Sequence, residues 1–205
     1  AIPAFALINL TIENPEQSFL NDIIKGYNKV FKDFPVAVIG GDTTYGPTSI
    51  TMTLIGYSSN TNVMLTSSAK ENDVIFISGF IGESLLARKY NKYHMPENRN
   101  ELGVILTEYA NSCTDMSDGL LDSLKRITEK SNLGAIIKIN EIKISSELNN
   151  QIENGNISWQ DVLSYGDDYE LFFTVNQKKS IALKNLCKNI GIEIYEIGSL
   201  AKDKN

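Results

Sequence analysis

Two carboxylates and a hydroxyl stand close together in the stretch Cys113-Thr-Asp-Met-Ser-Asp-Gly-Leu-Leu-Asp122, at Asp115, Ser117 and Asp118. They directly precede the helical apolar pattern Leu120, Leu121, Leu124, Ile127. Asp and Ser cap helices because their oxygens accept from unpaired first-turn N–H groups, and one cap needs only one such residue. The same set at a helix mouth also offers hard oxygen ligands for Mg²⁺ beside amides suited to phosphate. Both readings stand for this segment alone. Two further acidic turns bear on the choice, Gly40-Gly41-Asp42-Thr43-Thr44 and Gly166-Asp167-Asp168-Tyr169-Glu170. Any one of them reads as an ordinary turn, because Gly and Asp dominate turns. Three in one acidic chain point to a carboxylate-rich Mg²⁺–phosphate site. No Walker A pattern is present, so a P-loop enzyme is excluded.

The other reactive side chains point elsewhere or nowhere. His94, the single histidine, lies in a polar loop without a nearby Ser or Cys nucleophile, so a catalytic triad is not expected. Cys113 and Cys187 lack the further ligands a zinc site needs. Two cysteines are also too few for a disulfide framework, which makes a reducing cytoplasm the expected compartment. Trp159, Tyr165 and Tyr169 are either core aromatics or a stacking surface for a flat heterocycle. The net charge of −6 argues against nonspecific nucleic-acid binding, which depends on clustered Lys and Arg. No apolar run approaches the ~18 residues that span a bilayer, so no membrane partner is expected. A secretory signal pattern is absent, and the strand-like opening Ala1-Ile-Pro-Ala-Phe reads as a cut.

The elements that must position these residues follow from periodicity. Phe5–Ile12 predicts a strand, Asn14 to Asp33 a helix stopped by Pro35, Val36–Ile39 a short strand running into the Gly-Gly-Asp turn, and Ser49–Tyr57 an alternating strand. This is β-α-β-β. After a polar boundary at Ser58–Asn62 come a strand at Val74–Ser78 and helices at 84–93 and 102–111. A helix from Gly119 to Ser131 follows the central segment. Strands are then expected at 135–139, 171–175 and 192–197, with an amphipathic helix at 178–190. At 205 residues and 42% hydrophobic, the chain is read as α+β in two lobes, residues 1–60 and 61–205.

Taken together, Gly-Gly-Asp-Thr-Thr-x-Gly-Pro at 40–47, Asp-x-Ser-Asp-Gly-Leu at 115–120 and Gly-Asp-Asp-Tyr-Glu-Leu at 166–171 resemble the thiamine-monophosphate kinases of the aminoimidazole ribonucleotide synthetase-like superfamily. The resemblance implies a two-lobe synthetase-like architecture. Residues 1–60 would be part of a nucleotide-binding and dimerisation lobe, half of a dimeric β-barrel, and residues 61–205 an α/β sandwich. It implies phosphoryl transfer from ATP to thiamine monophosphate by direct in-line displacement, in a cytoplasmic homodimer. By the family pattern Gly41, Asp42 and Ser117 lie at the nucleotide, and Asp42, Asp115 and Asp118 at Mg²⁺. Asp167, in the place of the family's usual Glu, lies at the thiamine substrate. The family's earlier acidic loop and its C-terminal helix fall outside the match, and Thr66 stands where a basic residue is expected, so the resemblance covers a kinase shortened at both ends. Two other readings stay open beside it: a noncatalytic dimerising or nucleotide-binding remnant, and a sister-branch ATP-dependent synthetase.

Overall fold

Residues 1–61 and 62–205 form two separate units in the computed structural model, which describes residues 2–58 and 62–202. In the first, β1 (Ile2–Thr11) is followed by helix α1 (Gln17–Asp33) and by strands β2 (Ala37–Thr44) and β3 (Ser49–Tyr57). β1 lies in the middle, parallel to β2 and antiparallel to β3. Helix α1 turns the stripe Leu20, Ile23, Tyr27 and Phe31 half inward, with Tyr27 and Phe31 stacked. Burial is thin here. Every residue of β2 and β3 is exposed, including Val38, Ile39, Leu54 and Tyr57. The Gly-Gly-Asp-Thr-Thr segment, expected as a turn, lies inside β2, because Gly40–Thr44 continue the ladder opposite Leu7–Thr11.

The second unit is built on β4 (Asp73–Ser78), whose six residues are all buried. Then come α2 (Glu83–Lys89), α3 (Asn100–Tyr109), β5 (Ala110–Asp115), α4 (Leu120–Ser131) and β6 (Gly134–Ile137). The chain ends with α5 (Ser146–Glu153), α6 (Trp159–Ser164), β7 (Leu171–Asn176), α7 (Gln177–Asn189) and β8 (Ile194–Ala201). The strands make one antiparallel sheet in the order β5-β7-β4-β8-β6. Side chains alternate along a strand, so each face of this sheet needs its own cover. Ile75, Ile77 and Phe172 pack with Leu86, Leu120, Ile127, Leu148 and Val162 of α2, α4, α5 and α6. Val74, Phe76, Phe173 and Val175 pack on the other side with Leu102 and Leu106 of α3 and Leu183 and Cys187 of α7. The Phe76 and Phe173 rings stack with centroids 5.5 Å apart. Each fully buried side chain of this kind contributes about 1.5–3 kcal/mol, so a sheet covered on both faces is a firm platform for what its ends carry.

One strand was unexpected. The helix expected to reach Asn111 ends at Tyr109, and Ala110–Asp115 forms β5 on the sheet edge. Two of its polar residues are matched from other strands: Asn111 Nδ2 donates to Asp73 Oδ1 and Oδ2, each at 2.9 Å, and Ser112 Oγ and Thr174 Oγ1 are 2.9 Å apart. Trp159 is a core residue, half buried against the cluster around Ile75 and Phe172.

Candidate active site

β5 ends at Asp115, and α4 starts at Leu120, so the segment 116–119 bridges an edge strand and a helix mouth. No side chain caps that helix; its N-cap is Gly119, at φ 96°. The capping expectation for Asp115, Ser117 and Asp118 therefore fails. Asp115 and Asp118 are exposed. Asp118 Oδ2 lies 3.3 Å from Ser117 Oγ and 3.3 Å from an Arg126 nitrogen, which also holds Asp122 at 2.8 Å. The donor set suits Mg²⁺, which takes one or two carboxylates together with waters and substrate phosphates. Such an ion needs no cage made wholly of protein. Among the described residues, no three His, Cys, Asp or Glu side chains gather as one.

A second loop, residues 165–170, is laced to the first through backbone. The Asp167 N–H donates to the Ser117 carbonyl at 2.9 Å, Tyr169 N–H to the Met116 carbonyl at 3.2 Å, and Met116 N–H to the Glu170 carbonyl at 2.8 Å. Gly166 makes the approach possible, since a Cβ there would sit 2.1 Å from the Ser117 carbonyl oxygen. Asp115, Ser117, Asp118 and Asp167 are thus brought to one ladder. Gly41 and Asp42 stand in the other unit, on β2. There the absence of a side chain at Gly41 is required by β1, because a Cβ would fall 1.8 Å from the Ile8 carbonyl oxygen. The Asp42 carboxylate accepts from the Thr43 amide at 2.8 Å.

Loop 165–170 alternates in and out. Asp167 and Tyr169 are exposed and hold positive φ, 66° and 53°. Asp168 and Glu170 are buried. The Asp168 carboxylate accepts from the Gly82 and Ser84 amides at 2.6 and 3.0 Å, closing the mouth of α2, and Ser84 Oγ donates to the Gly166 carbonyl at 2.6 Å. Glu170 receives Arg99 Nε and an Arg99 terminal nitrogen at 2.6 Å each, and Ser78 Oγ donates to the same carboxylate. Non-glycine residues in the left-handed region cost about 1–3 kcal/mol each and persist only where the surroundings hold them. Here the two buried acids do the holding and the exposed pair is presented.

What they are presented to is a cleft of about 350 Å³. Tyr165, Asp167 and Tyr169 line it from this loop, and Arg88, Lys92 and His94 from the end of α2 and the chain beyond. The Asp167 charge, followed by burial and a hydrogen bond to Asp167, raises the Tyr169 phenol pKa; the charge of Asp115 adds to the effect, so both loops act on one place. Cys113 is no nucleophile. Burial, helped by Asp115, pushes its thiol up to about 12. Sequence reasoning passed over Arg99, Ser78 and the inward roles of Asp168 and Glu170. The available signal was parity, since 168 and 170 are in phase with the buried Phe172.

Two family descriptions cover the chain: AIR synthase related protein, N-terminal domain, over residues 1–58, and its C-terminal domain over residues 55–205. The thiamine-monophosphate kinase of Buchnera aphidicola subsp. Schizaphis graminum is 33% identical, across 87% of this chain and 60% of that protein. The Escherichia coli K12 enzyme of that name is 31% identical, across 99% of this chain and 67% of its own. The chain belongs to the thiamine-monophosphate kinase branch of the AIR synthase related family.

Solved structures agree. The thiamine-monophosphate kinase of Stenotrophomonas maltophilia K279a superposes with a TM-score of 0.89 at 27% identity, covering 99% of this chain and 71% of that one. A structure described as AaThiL complexed with AMPPCP and TMP shares the fold, with a TM-score of 0.82 at 24% identity, covering 98% and 68%. The chain spans between 60% and 67% of the length of the curated kinases it matches. Within the family's α+β architecture, the second unit supplies the laddered loops and the cleft.

Proposed function

We propose that this chain is the part of a thiamine-monophosphate kinase that passes the γ-phosphoryl group of ATP to thiamine monophosphate, yielding thiamine diphosphate and ADP. The observation that carries the reading is the ladder joining loop 116–119 to loop 165–170, which holds the backbone of Ser117 beside that of Asp167. A structure of the same fold is described as complexed with AMPPCP and TMP, the first a nucleotide that can stand in for ATP without transferring its γ-phosphoryl group.

The attacking oxygen belongs to a phosphate monoester and is already anionic near neutral pH, so no side chain must remove a proton. What the reaction needs is positioning and relief of repulsion between two polyanions. Asp115 and Asp118 would hold Mg²⁺, which when bound supplies charge neutralisation on the phosphoryl oxygens, and Asp42 is a further Mg²⁺ ligand by the family pattern within the first unit. Ser117 offers a hydroxyl to nucleotide phosphate, and Gly41, next to Asp42 on β2, lies at the nucleotide by the family pattern. Asp167, set by the ladder, faces the thiamine substrate. No covalent enzyme intermediate is required.

The chain acts in the cytoplasm on this reading, which its free Cys113 and Cys187 suit, and no described helix is long and apolar enough to cross a membrane. It acts as a homodimer, the exposed apolar residues of β2 and β3 being the surface a second copy would cover. Sedimentation at the mass of two chains checks this; a monomer at micromolar concentration refutes it.

The reaction is tested by incubating the chain with Mg-ATP and thiamine monophosphate and assaying thiamine diphosphate. Product is expected. Asp118→Asn should weaken Mg-dependent nucleotide binding by about tenfold or more. Its stability should change by less than about 0.5 kcal/mol, because Asp118 is exposed and caps nothing. Nucleotide binding without turnover would favour the noncatalytic reading.

A further inference from the structure

The cleft beside Asp167 has a charge distribution to which the proposed function has given no role. The chain has three arginines. Arg99 is paired with Glu170 and Glu97, and Arg126 with Asp118 and Asp122. Arg88 makes no ion pair with any described residue, and neither does Lys92. In a chain of net charge −6, acids for both are plentiful. Instead both cations face the cleft, together with the only histidine, His94. Arg88 stands in the last turn of α2, where a cation suits the helix dipole, but that accounts for neither Lys92 nor the cleft.

The helix that carries Arg88 is held at a fixed place relative to Asp167. The Asp168 carboxylate closes the mouth of α2, and Ser84 Oγ bonds the Gly166 carbonyl, so the helix that carries Arg88 is pinned to the loop that carries Asp167. The cleft therefore offers cations, one carboxylate and three tyrosines, Tyr93, Tyr165 and Tyr169, to a single ligand. That combination fits a zwitterion with a phosphate at one end and a cationic aromatic ring at the other. Guanidinium and ammonium groups recognise phosphate, and a ring cation is favoured by a carboxylate and by aromatic faces.

We propose that Arg88 and Lys92, with His94 beside them, recognise the phosphate of the phosphoryl acceptor and so select the phosphorylated over the unphosphorylated thiamine. This rests on the kinase reading above. Calorimetric titration of the chain with thiamine monophosphate and with thiamine tests it, alongside the Arg88→Gln/Lys92→Gln double variant and Lys130→Gln as a control for general loss of charge. All three positions are exposed, so the fold is kept.

Wild type should prefer the monophosphate. The double variant should lose roughly tenfold or more of that affinity, keep its affinity for thiamine within about twofold, and leave Mg-ATP affinity unmoved. Lys130→Gln should match wild type. Undiminished monophosphate binding by the double variant overturns the inference and leaves the kinase reading intact. Equal weakening by Lys130→Gln overturns it in favour of diffuse electrostatics. A wild-type chain that binds neither thiamine species overturns both readings.

Discussion

Loop 165–170 and loop 116–119 meet along the same three backbone hydrogen bonds, yet they use their acids in opposite ways. The first buries Asp168 and Glu170 against Gly82, Ser84, Arg99 and Ser78, and turns out only Asp167 and Tyr169. The second buries no acid. Asp115 and Asp118 stay exposed, and Arg126 holds Asp118 and Asp122 at the surface. A loop that must shape a pocket for one organic ligand needs a fixed backbone, and it obtains one from buried charge. A loop with the proposed task of meeting a hydrated ion and a flexible triphosphate needs free oxygens more than a fixed shape. The difference assigns separate failure modes. Damage to the first loop should appear as lost stability or lost substrate geometry, and damage to the second as lost ligand binding in an intact fold.

The sharpest test of that division removes the deepest restraint. Arg99→Met leaves the Glu170 carboxylate buried with Ser78 as its remaining side-chain partner. Breaking a buried ion pair from one side costs about 3–5 kcal/mol. Urea denaturation should show a loss of that order in the second unit. A variant as stable as wild type would mean that Glu170 needs no partner, and the two loops would then be equally soft.

A smaller effect is expected where the loops touch. In Gly166→Ala the new methyl must push away the Ser117 carbonyl, since the ideal Cβ lies 2.1 Å from its oxygen. Overpacking of this kind costs about 1–3 kcal/mol. The Asp167 and Tyr169 amides, which donate across the ladder, should exchange with solvent faster while amides of β4 keep their protection. Unchanged exchange at those two amides would show that the ladder does not depend on the glycine.

How much of this was legible in the sequence depended on whether a residue's role is local. The strand Ser49–Tyr57 and the helix Leu120–Ser131 were readable because periodicity is a local property. The three acidic motifs were readable because type and spacing are written in the chain. β5 was not, because Asn111, Ser112 and Thr114 look like loop residues until Asp73 and Thr174 arrive from other strands to satisfy two of them. Gly40–Thr44 looked like a turn for the same reason, its partner strand lying about thirty residues earlier. Arg99 gave no signal of its role, since Glu170, the buried acid it holds, is 71 residues away. Within Gly166–Glu170 the composition announced an acidic site, but only the phase with Phe172 divides the acids into holders and presenters.

The finest cut between the loops is at Asp167, which is exposed on a loop whose other acids are buried. Asp167→Asn keeps the residue's size and suits φ 66°, because Asn enters the left-handed region as readily as Asp. The backbone bond from its amide to Ser117 is untouched by the substitution. Stability should therefore stay within about 0.5 kcal/mol of wild type, the ordinary range for a surface change. What is lost is the carboxylate facing the cleft. If Asp167 is a presenter, the KM for thiamine monophosphate should rise by roughly tenfold, while the KM for Mg-ATP, which the proposed function gives to the other loop, stays put. The Tyr169 phenol should also titrate at lower pH, since the Asp167 charge is the largest cause holding it up. A rise in both KM values together would mean that the ladder couples the loops into one binding surface, and the division of labour between them would not survive.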